Sequence, residues 1–333
     1  MLSAAELRER AQAVGFAAAG FARAEPLDPA PLDAWLAEGL DADMDWMGKR
    51  RAMRLDVREL LPGAKTVMAL LVPYGAERPD GPVARYARGR DYHSVIRDRL
   101  RKLRKPFEAA HPELPTYASV DSNPVMEKAW AERAGLGFIG KNGLLIHPKW
   151  GTQVFIATFI LGDEVDTYDS PLPRQCGSCT LCLEACPTQA IVRPGVVDSA
   201  RCLSYQTIEN AGAVPEPLRP AFRFTVFGCD LCQTCCPWNR KPPPPPDAGF
   251  AERPLAMLST RELAALTPER YAELIPGSAL ARAGYHGLRR NAVLALGGQG
   301  DVEVRALLER LCADPEPLVA EAAKWALAQL CSR

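Results

Sequence analysis

GCDLCQTCCPWN, residues 228–239, carries four cysteines, two of them adjacent and the last followed by proline. It belongs with CGSCTLCLEACP, residues 176–187, and Cys202 stands between the two stretches. Cys176, Cys179, Cys182, Cys186 and Pro187 make the run C-x2-C-x2-C-x3-C-P. This is the bacterial ferredoxin spacing, in which three thiolates on one tight turn take three corners of an iron–sulfur cube and the fourth reaches a neighbouring cube. A zinc site needs four ligands and no proline. The pattern therefore predicts two 4Fe–4S clusters. Two such cubes take eight thiolates, whereas residues 176–236 offer nine cysteines. Consecutive side chains diverge, so Cys235 and Cys236 are not expected to serve one cluster. Cys236, before Pro237, is the expected crossing ligand, equivalent to Cys186 before Pro187. By spacing alone the remaining corner is open to Cys235 or Cys202.

The chain around this region has 333 residues and 47% hydrophobic content, enough to bury the cores of two or three domains. Forty Lys and Arg balance forty Asp and Glu, so a nucleic-acid site would have to be a local concentration of charge. No apolar run approaches the roughly 20 residues of a membrane helix, and MLSAAELRERAQAVGF has no secretory signal character. A cytoplasmic protein with no membrane partner is expected. Thiols stay reduced there, which turns eleven cysteines toward metal chemistry and away from disulfides. Cys312 and Cys331, outside the cluster region, are expected as core thiols.

Residues 1–20 read as an amphipathic helix, and TVMALLVPY (66–74) and VFIATFIL (154–161) as buried strands. SVIRDRLRKLRKPFEAA (94–110) has helical apolar spacing with a break expected at Pro106. In DSNPVMEKAWAERAG (121–135), Asn123 is placed to cap a helix whose first position is Pro124, and Gly135 to end it, which sets Asp121 just before a helix N-terminus. KPPPPPD (241–247) reads as a stiff linker. Beyond it, residues 288–330 show short alanine-rich helices of HEAT type. The expected fold is α+β: an N-terminal α/β domain (1–170), a ferredoxin-like domain (171–245) and a helical HEAT-like region (246–333).

Across nearly its whole length the sequence resembles the epoxyqueuosine reductases. The likeness is carried by RYARGRDYH (85–93), VDSNPVMEKAWAERAGLGFIGKNGLLI (120–146), the ferredoxin run, RCLSYQTIE (201–209) and GCDLCQTCCPWN. The resemblance implies a cobalamin-dependent enzyme, related to reductive dehalogenases, that reduces the epoxide of epoxyqueuosine at the wobble position of tRNA, with electrons from an external donor. It makes Cys202 a ligand, assigning Cys176, Cys179, Cys182 and Cys236 to one cluster and Cys186, Cys202, Cys229 and Cys232 to the other, with Cys235 spare. It implies cobalamin in the N-terminal domain, with Arg54, Asp121 and Ser204 as contacts and Asp121 as proton donor, its carboxyl raised by burial against the corrin. The cobalt-ligating motif D-x-H-x-x-G is absent, because Ile96 stands where glycine is required. His93 reads equally as a histidine at a helix start and as a functional one.

The tRNA contacts must come from local charge. Arg282, Arg289 and Arg290 flank Tyr285 and His286 in a stretch without acids, and the resemblance makes this the preferred RNA-contacting segment, ahead of the nine Lys and Arg of residues 85–105. Tyr285 and Trp238 are candidates for stacking on unpaired bases. The GFIGKNG turn (137–143) offers backbone that could approach a large planar ligand. Two other classes compete, a dehalogenase acting on a small organohalide and a non-enzymatic electron carrier. The helical tail counts against the first, and the N-terminal 170 residues count against the second. A monomer is the expected state.

Overall fold

A strand buried on both faces has no polar side to alternate with, and TVMALLVP accordingly reads as an unbroken apolar run. In the structure, a computed structural model that describes residues 1–74, 81–240 and 248–331, helix α1 (Ala4–Ala13) leads into strand β1 (Ala18–Arg23), and the apolar run forms β2 (Thr66–Pro73). Helix α2 (Tyr92–Ala110), β3 (Thr116–Ser119), helix α3 (Glu127–Arg133) and β4 (Val154–Leu161) follow. The sheet runs β1-β2-β4-β3, and every pair is antiparallel. Met68, Leu70 and Val72 face α1 and α2, meeting Val95, Ile96, Leu100 and Leu103. Val67, Ala69 and Leu71 face the other way, toward Trp130 and Ala131 of α3 and toward Leu55 and Val57.

Four local expectations change. The N-terminal domain is α+β and not α/β, because its long strands pair antiparallel with no parallel crossover. The helix expected over residues 1–20 stops at Ala13: Gly15 takes φ 96°, a left-handed turn that lets the next residues satisfy their backbone on the sheet edge as β1. Pro106 does not break α2, since it lies on the exposed side, where water serves the carbonyl that its missing N–H leaves unpaired. Asn123 caps nothing. Helix α3 starts only at Glu127, because the Ser122 N–H turns back to Val120 O at 2.6 Å and the Val125 N–H to Asn123 O at 2.8 Å. Gly135, at φ 69°, ends α3 as expected.

The C-terminal half is built on helix α4 (Leu203–Ile208), which follows Cys202, and on α5 (Gly284–Gln299), α6 (Arg305–Leu311) and α7 (Pro317–Cys331). One core unites them: Leu203, Phe222 and Phe227 from the cysteine region pack with Leu288, Leu294 and Ala326 from the tail. Cys312 lies partly buried against this core, but Cys331 is exposed, which corrects its reading as a core thiol. KPPPPPD lies outside the described residues. The join is polar as well as apolar. Arg290, 2% exposed, donates to the carbonyls of Gln206, Asn210 and Gly212, and Asn291 Nδ2 donates to Thr207 O and Val226 O, both at 2.9 Å.

Arg290→Met keeps the bulk but takes the donor away from the carbonyls of Gln206, Asn210 and Gly212. It is expected to lower the stability of this half by about 2–4 kcal/mol, read from the denaturant midpoint. A midpoint unchanged from wild type would show that the node does not hold the tail.

Candidate active site

Residues 91–93 open α2 as Asp-Tyr-His, and all three side chains turn to the site. Asp91 caps the helix by accepting the His93 N–H at 3.0 Å, and its Oδ1 also lies 2.7 Å from His93 Nδ1. The other ring nitrogen, Nε2, meets Asp121 Oδ2 at 2.8 Å, and the Tyr92 hydroxyl donates to the same oxygen at 2.5 Å. Asp121 stands at φ 54°, a left-handed conformation that non-glycine residues seldom adopt, Asp more readily than most. Its side chain remains 58% exposed.

These contacts set the charges. Partial desolvation alone would raise the Asp121 carboxyl, but the hydrogen bonds from His93 and Tyr92 outweigh it and hold the group below the ordinary aspartate value. Burial would lower His93, yet its bonds to Asp121 and Asp91 carry it up to about 9. The expectation of a raised Asp121 is thus reversed in this structure: the pair rests as carboxylate and imidazolium. Below it lies Glu127, which desolvation above all pushes up to about 7. Desolvation lowers the neighbouring Lys128, whose Nζ donates to Gly143 O at 2.8 Å. Arg54 is 8% exposed. Its Nη2 donates to Trp46 O at 3.3 Å, while its Nε is buried without a partner. A buried guanidinium N–H facing nothing is a donor awaiting an acceptor, which suits a polar group of a bound cofactor. Ser204 lies in the first turn of α4. The next residue, Tyr205, hydrogen-bonds Asp43 on the segment that leads to Trp46 and Arg54, so this turn faces the Arg54 side of the site.

The two cysteine stretches converge through the one-turn helices Leu181–Glu184 and Leu231–Thr234. Cys176, Cys179, Cys182 and Cys236 line one cavity of about 240 Å³, walled also by Lys141, Leu181 and Trp238. Cys186, Cys202, Cys229 and Cys232 gather in a second group, each within electrostatic reach of the others. Burial above all pushes the Cys229 thiol up to about 12, so metal binding there must displace a proton. Cys235 is not on the cavity wall. It lies within reach of Cys182, but its sulfur points to Cys232 O at 3.7 Å. Among the described residues no three Cys, His, Asp or Glu side chains converge as a single metal ion requires. The first four thiols instead line a cavity large enough for a cluster. The GFIGKNG turn serves this region: Lys141 Nζ donates to Gly177 O and Cys179 O at 2.7 and 2.9 Å, and Asn142 Nδ2 to Cys232 O at 3.3 Å.

The basic patch expected at 282–290 comes apart. Arg289 is buried against Asp314, and Arg290 is consumed by the carbonyls described above, so neither faces an RNA phosphate. The acids that pair with the patch, Glu209, Asp314 and Glu316, come from distant sequence. Tyr285 is tied by its hydroxyl to Leu266 O at 2.8 Å, and Trp238 packs edge-on to Phe138 beside the cluster cavity. Arg282 alone stays exposed, bonded to Glu209, 5.7 Å from the exposed Trp46 ring and near enough to act on the Asp121 charge. Along α2, by contrast, Arg97, Arg101, Lys102 and Lys105 are all exposed, while Arg99 is buried. Sequence reading missed Tyr92, Glu127 and Trp46. The run Asp91-Tyr92-His93 at a helix start was the available signal for the first.

Known proteins resemble this chain in sequence and in fold. The family described as epoxyqueuosine reductase QueG, DUF1730, matches residues 54–122, and a 4Fe-4S double cluster binding domain matches residues 175–239. The epoxyqueuosine reductase of Gloeobacter violaceus is 42% identical over 313 residues, covering 90% of this chain and 97% of its own. A crystal structure of epoxyqueuosine reductase with a tRNA-Tyr epoxyqueuosine-modified stem loop is 30% identical, with TM-score 0.89, covering 98% of this chain and 89% of the other. The Bacillus subtilis epoxyqueuosine reductase, described with its catalytic aspartate loop swung out of the active site, is 30% identical with TM-score 0.88, covering 98% and 90%.

The ionic pair makes a pH prediction. A histidine raised from 6.5 to about 9 adds stability that is full below pH 6.5 and is lost as pH rises through 9. By NMR, the His93 ring is expected to titrate near 9, and Asp121→Asn should move it down toward the ordinary histidine value. A wild-type ring titrating at that ordinary value would refute the pair.

Proposed function

We infer the function from the premise that this chain belongs to the epoxyqueuosine reductase family: it is an oxidoreductase that reduces epoxyqueuosine to queuosine at the wobble position of tRNA, the last step of queuosine biosynthesis. Its cofactors are two 4Fe–4S clusters and cobalamin. The observation that carries the reading is the joining of two thiol groups and a polarised acid–histidine site within one fold whose relatives bear that activity. The proposed division is 1–170 for cobalamin, 171–245 for the clusters and 246–333 as a HEAT-like helical region. The setting is the cytoplasm, the working form a monomer, and the electrons come from an external donor. Among the described residues no helix is long and apolar enough to cross a membrane.

Cobalamin, when bound, supplies the bond-making and electron-transfer chemistry that no amino-acid side chain provides, and the clusters pass electrons singly. Arg54 is the proposed anchor, since its unpartnered Nε needs an acceptor, and Ser204 stands beside the inner cluster as a second contact. Asp121 is the proposed acid. Its strained loop presents the carboxyl with one oxygen held by Tyr92 and His93 and the other free for the epoxide oxygen. Cys176, Cys179, Cys182 and Cys236 hold the outer cluster, and Cys186, Cys202, Cys229 and Cys232 the inner one. For tRNA, Arg282 at the mouth and the α2 stripe Arg97, Arg101, Lys102 and Lys105 replace the buried Arg289 and Arg290 as phosphate contacts.

Turnover of epoxyqueuosine tRNA by the anaerobically purified, cobalamin-loaded protein tests the function. Asp121→Asn is expected to keep tRNA binding and lose about a hundredfold or more in rate. Wild-type turnover in that variant would remove Asp121 from the reaction.

Iron analysis tests the ligand sets. About eight irons per chain are expected, unchanged in Cys235→Ala and reduced in Cys202→Ala. Equal losses from both variants would overturn the assignment.

For the RNA surface, Arg97→Ala combined with Lys102→Ala should weaken tRNA binding and flatten its log–log salt slope by roughly one unit per lost contact. Unchanged affinity and slope would move the RNA off α2.

A further inference from the structure

Removing an epoxide oxygen as water replaces two C–O bonds with one C=C bond and consumes two electrons and two protons. The external donor supplies the electrons through the clusters. One proton reaches the oxygen as the first C–O bond breaks, and another as the resulting hydroxyl leaves as water. A single carboxyl carries only one of them. Asp121, moreover, rests as a carboxylate, so it must be loaded even for the first.

We propose that His93 reloads the acid of this site: Asp121 takes one proton from water at its free oxygen and gives it to the epoxide oxygen, and the His93 imidazolium, oriented by Asp91, then passes the second proton to Asp121 from behind, whose carboxyl turns to deliver it as the hydroxyl leaves as water. The inference rests on the functional reading above. Three observations point to it. His93 Nε2 lies 2.8 Å from Asp121 Oδ2, a distance for direct transfer. Asp91 Oδ1 lies 2.7 Å from the opposite ring nitrogen, which fixes the ring and stabilises its charge. Substrate must cover the exposed face of Asp121 to react there, which leaves His93, on the other side of the carboxylate, as the remaining proton path.

Tyr92 donates to the same carboxylate oxygen but cannot take this role. Burial and the adjacent Asp121 charge raise its hydroxyl far above the ordinary phenol range, so it keeps its proton and positions the acid. The other charged groups around the pair do not change the assignment. Arg282, from the segment before α5, favours the Asp121 carboxylate. Glu127 and Lys128 approach from α3, Tyr86 from the turn Arg85–Ala87, and Arg97 lies one turn along α2, beside Asp91. None of them is hydrogen-bonded to His93 or lies between it and Asp121.

The test is single-turnover reduction of epoxyqueuosine tRNA against pH, with His93→Gln, which can hydrogen-bond but cannot carry a proton. Wild type should hold its rate through neutral pH and fall above about 9. His93→Gln should lose about a hundredfold or more at neutral pH, and its basic fall should move several units toward acid, following the Asp121 carboxyl alone. Its tRNA affinity and iron content should match wild type. In His93→Ala, added imidazole should restore rate in proportion to the imidazolium fraction. A His93→Gln enzyme with the wild-type rate and profile overturns the inference, as does one slowed equally at every pH, which would give His93 a structural role only. A wild type that turns over no epoxyqueuosine tRNA would instead defeat the functional reading, and this inference with it.

Discussion

The Arg290 guanidinium is the point through which the helical tail commands the cluster region. A buried arginine pays desolvation of its full charge, and it remains stable here because three carbonyls between Gln206 and Gly212 and the Asn291 amide oxygen accept its protons. Those carbonyls close the segment that begins at Cys202. Asn291 extends the hold to Thr207 and Val226, and the Thr207 hydroxyl accepts the Gly228 N–H at 3.0 Å, one residue before Cys229. Gly228 adopts φ 67°, and a Cβ there would lie 2.6 Å from the Ala84 side chain. The inner thiols therefore hang from a scaffold whose keystone lies some ninety residues downstream of Cys202.

The same economy joins the cluster region to the N-terminal domain. Gln233 Oε1 accepts from Thr152 at 2.9 Å and from Tyr74 at 3.2 Å, and its amide donates to Asp230. Asn239 bonds Thr152 from the far side of that helix. These bonds tie the helix Leu231–Thr234 to the ends of β2 and β4, the two central strands of the sheet. Lys141 and Asn142 reach over from the GFIGKNG turn to pin both cysteine stretches. Electron-carrying groups are useful only at fixed separation from their target, and a polar network, directional where apolar packing is not, sets that separation.

At the site itself, charge is arranged so that two carboxylates share one imidazolium. Asp91 belongs to the helix cap and Asp121 to a strained loop, and His93 bridges them with both ring nitrogens. Glu127, half-buried nearby and pushed up to about 7 by desolvation, shows how differently a carboxyl behaves when desolvation meets no such partner. Arg282 and Trp46 lie 5.7 Å apart, where the helical tail, through Arg282, and the residues before Arg54 meet near this pair.

The cysteine spacing alone determined the cluster region, because ligand geometry on a tight turn is local, and the apolar runs at 66–73 and 154–161 named the central strands, because burial on both faces leaves no polar residue to confuse them. Asp121 was legible only through family resemblance. Contacts between distant segments decided the rest. Arg289 and Arg290, near Tyr285, looked like part of an RNA surface until Asp314 and the carbonyls of residues 206–212 folded against them, and no local pattern announces which side of a helix its partners will cover. Likewise the charge state of Asp121 was out of reach of the sequence. It depends on two side chains of α2, nearly thirty residues earlier, being carried to one carboxylate oxygen, where their hydrogen bonds outweigh partial desolvation.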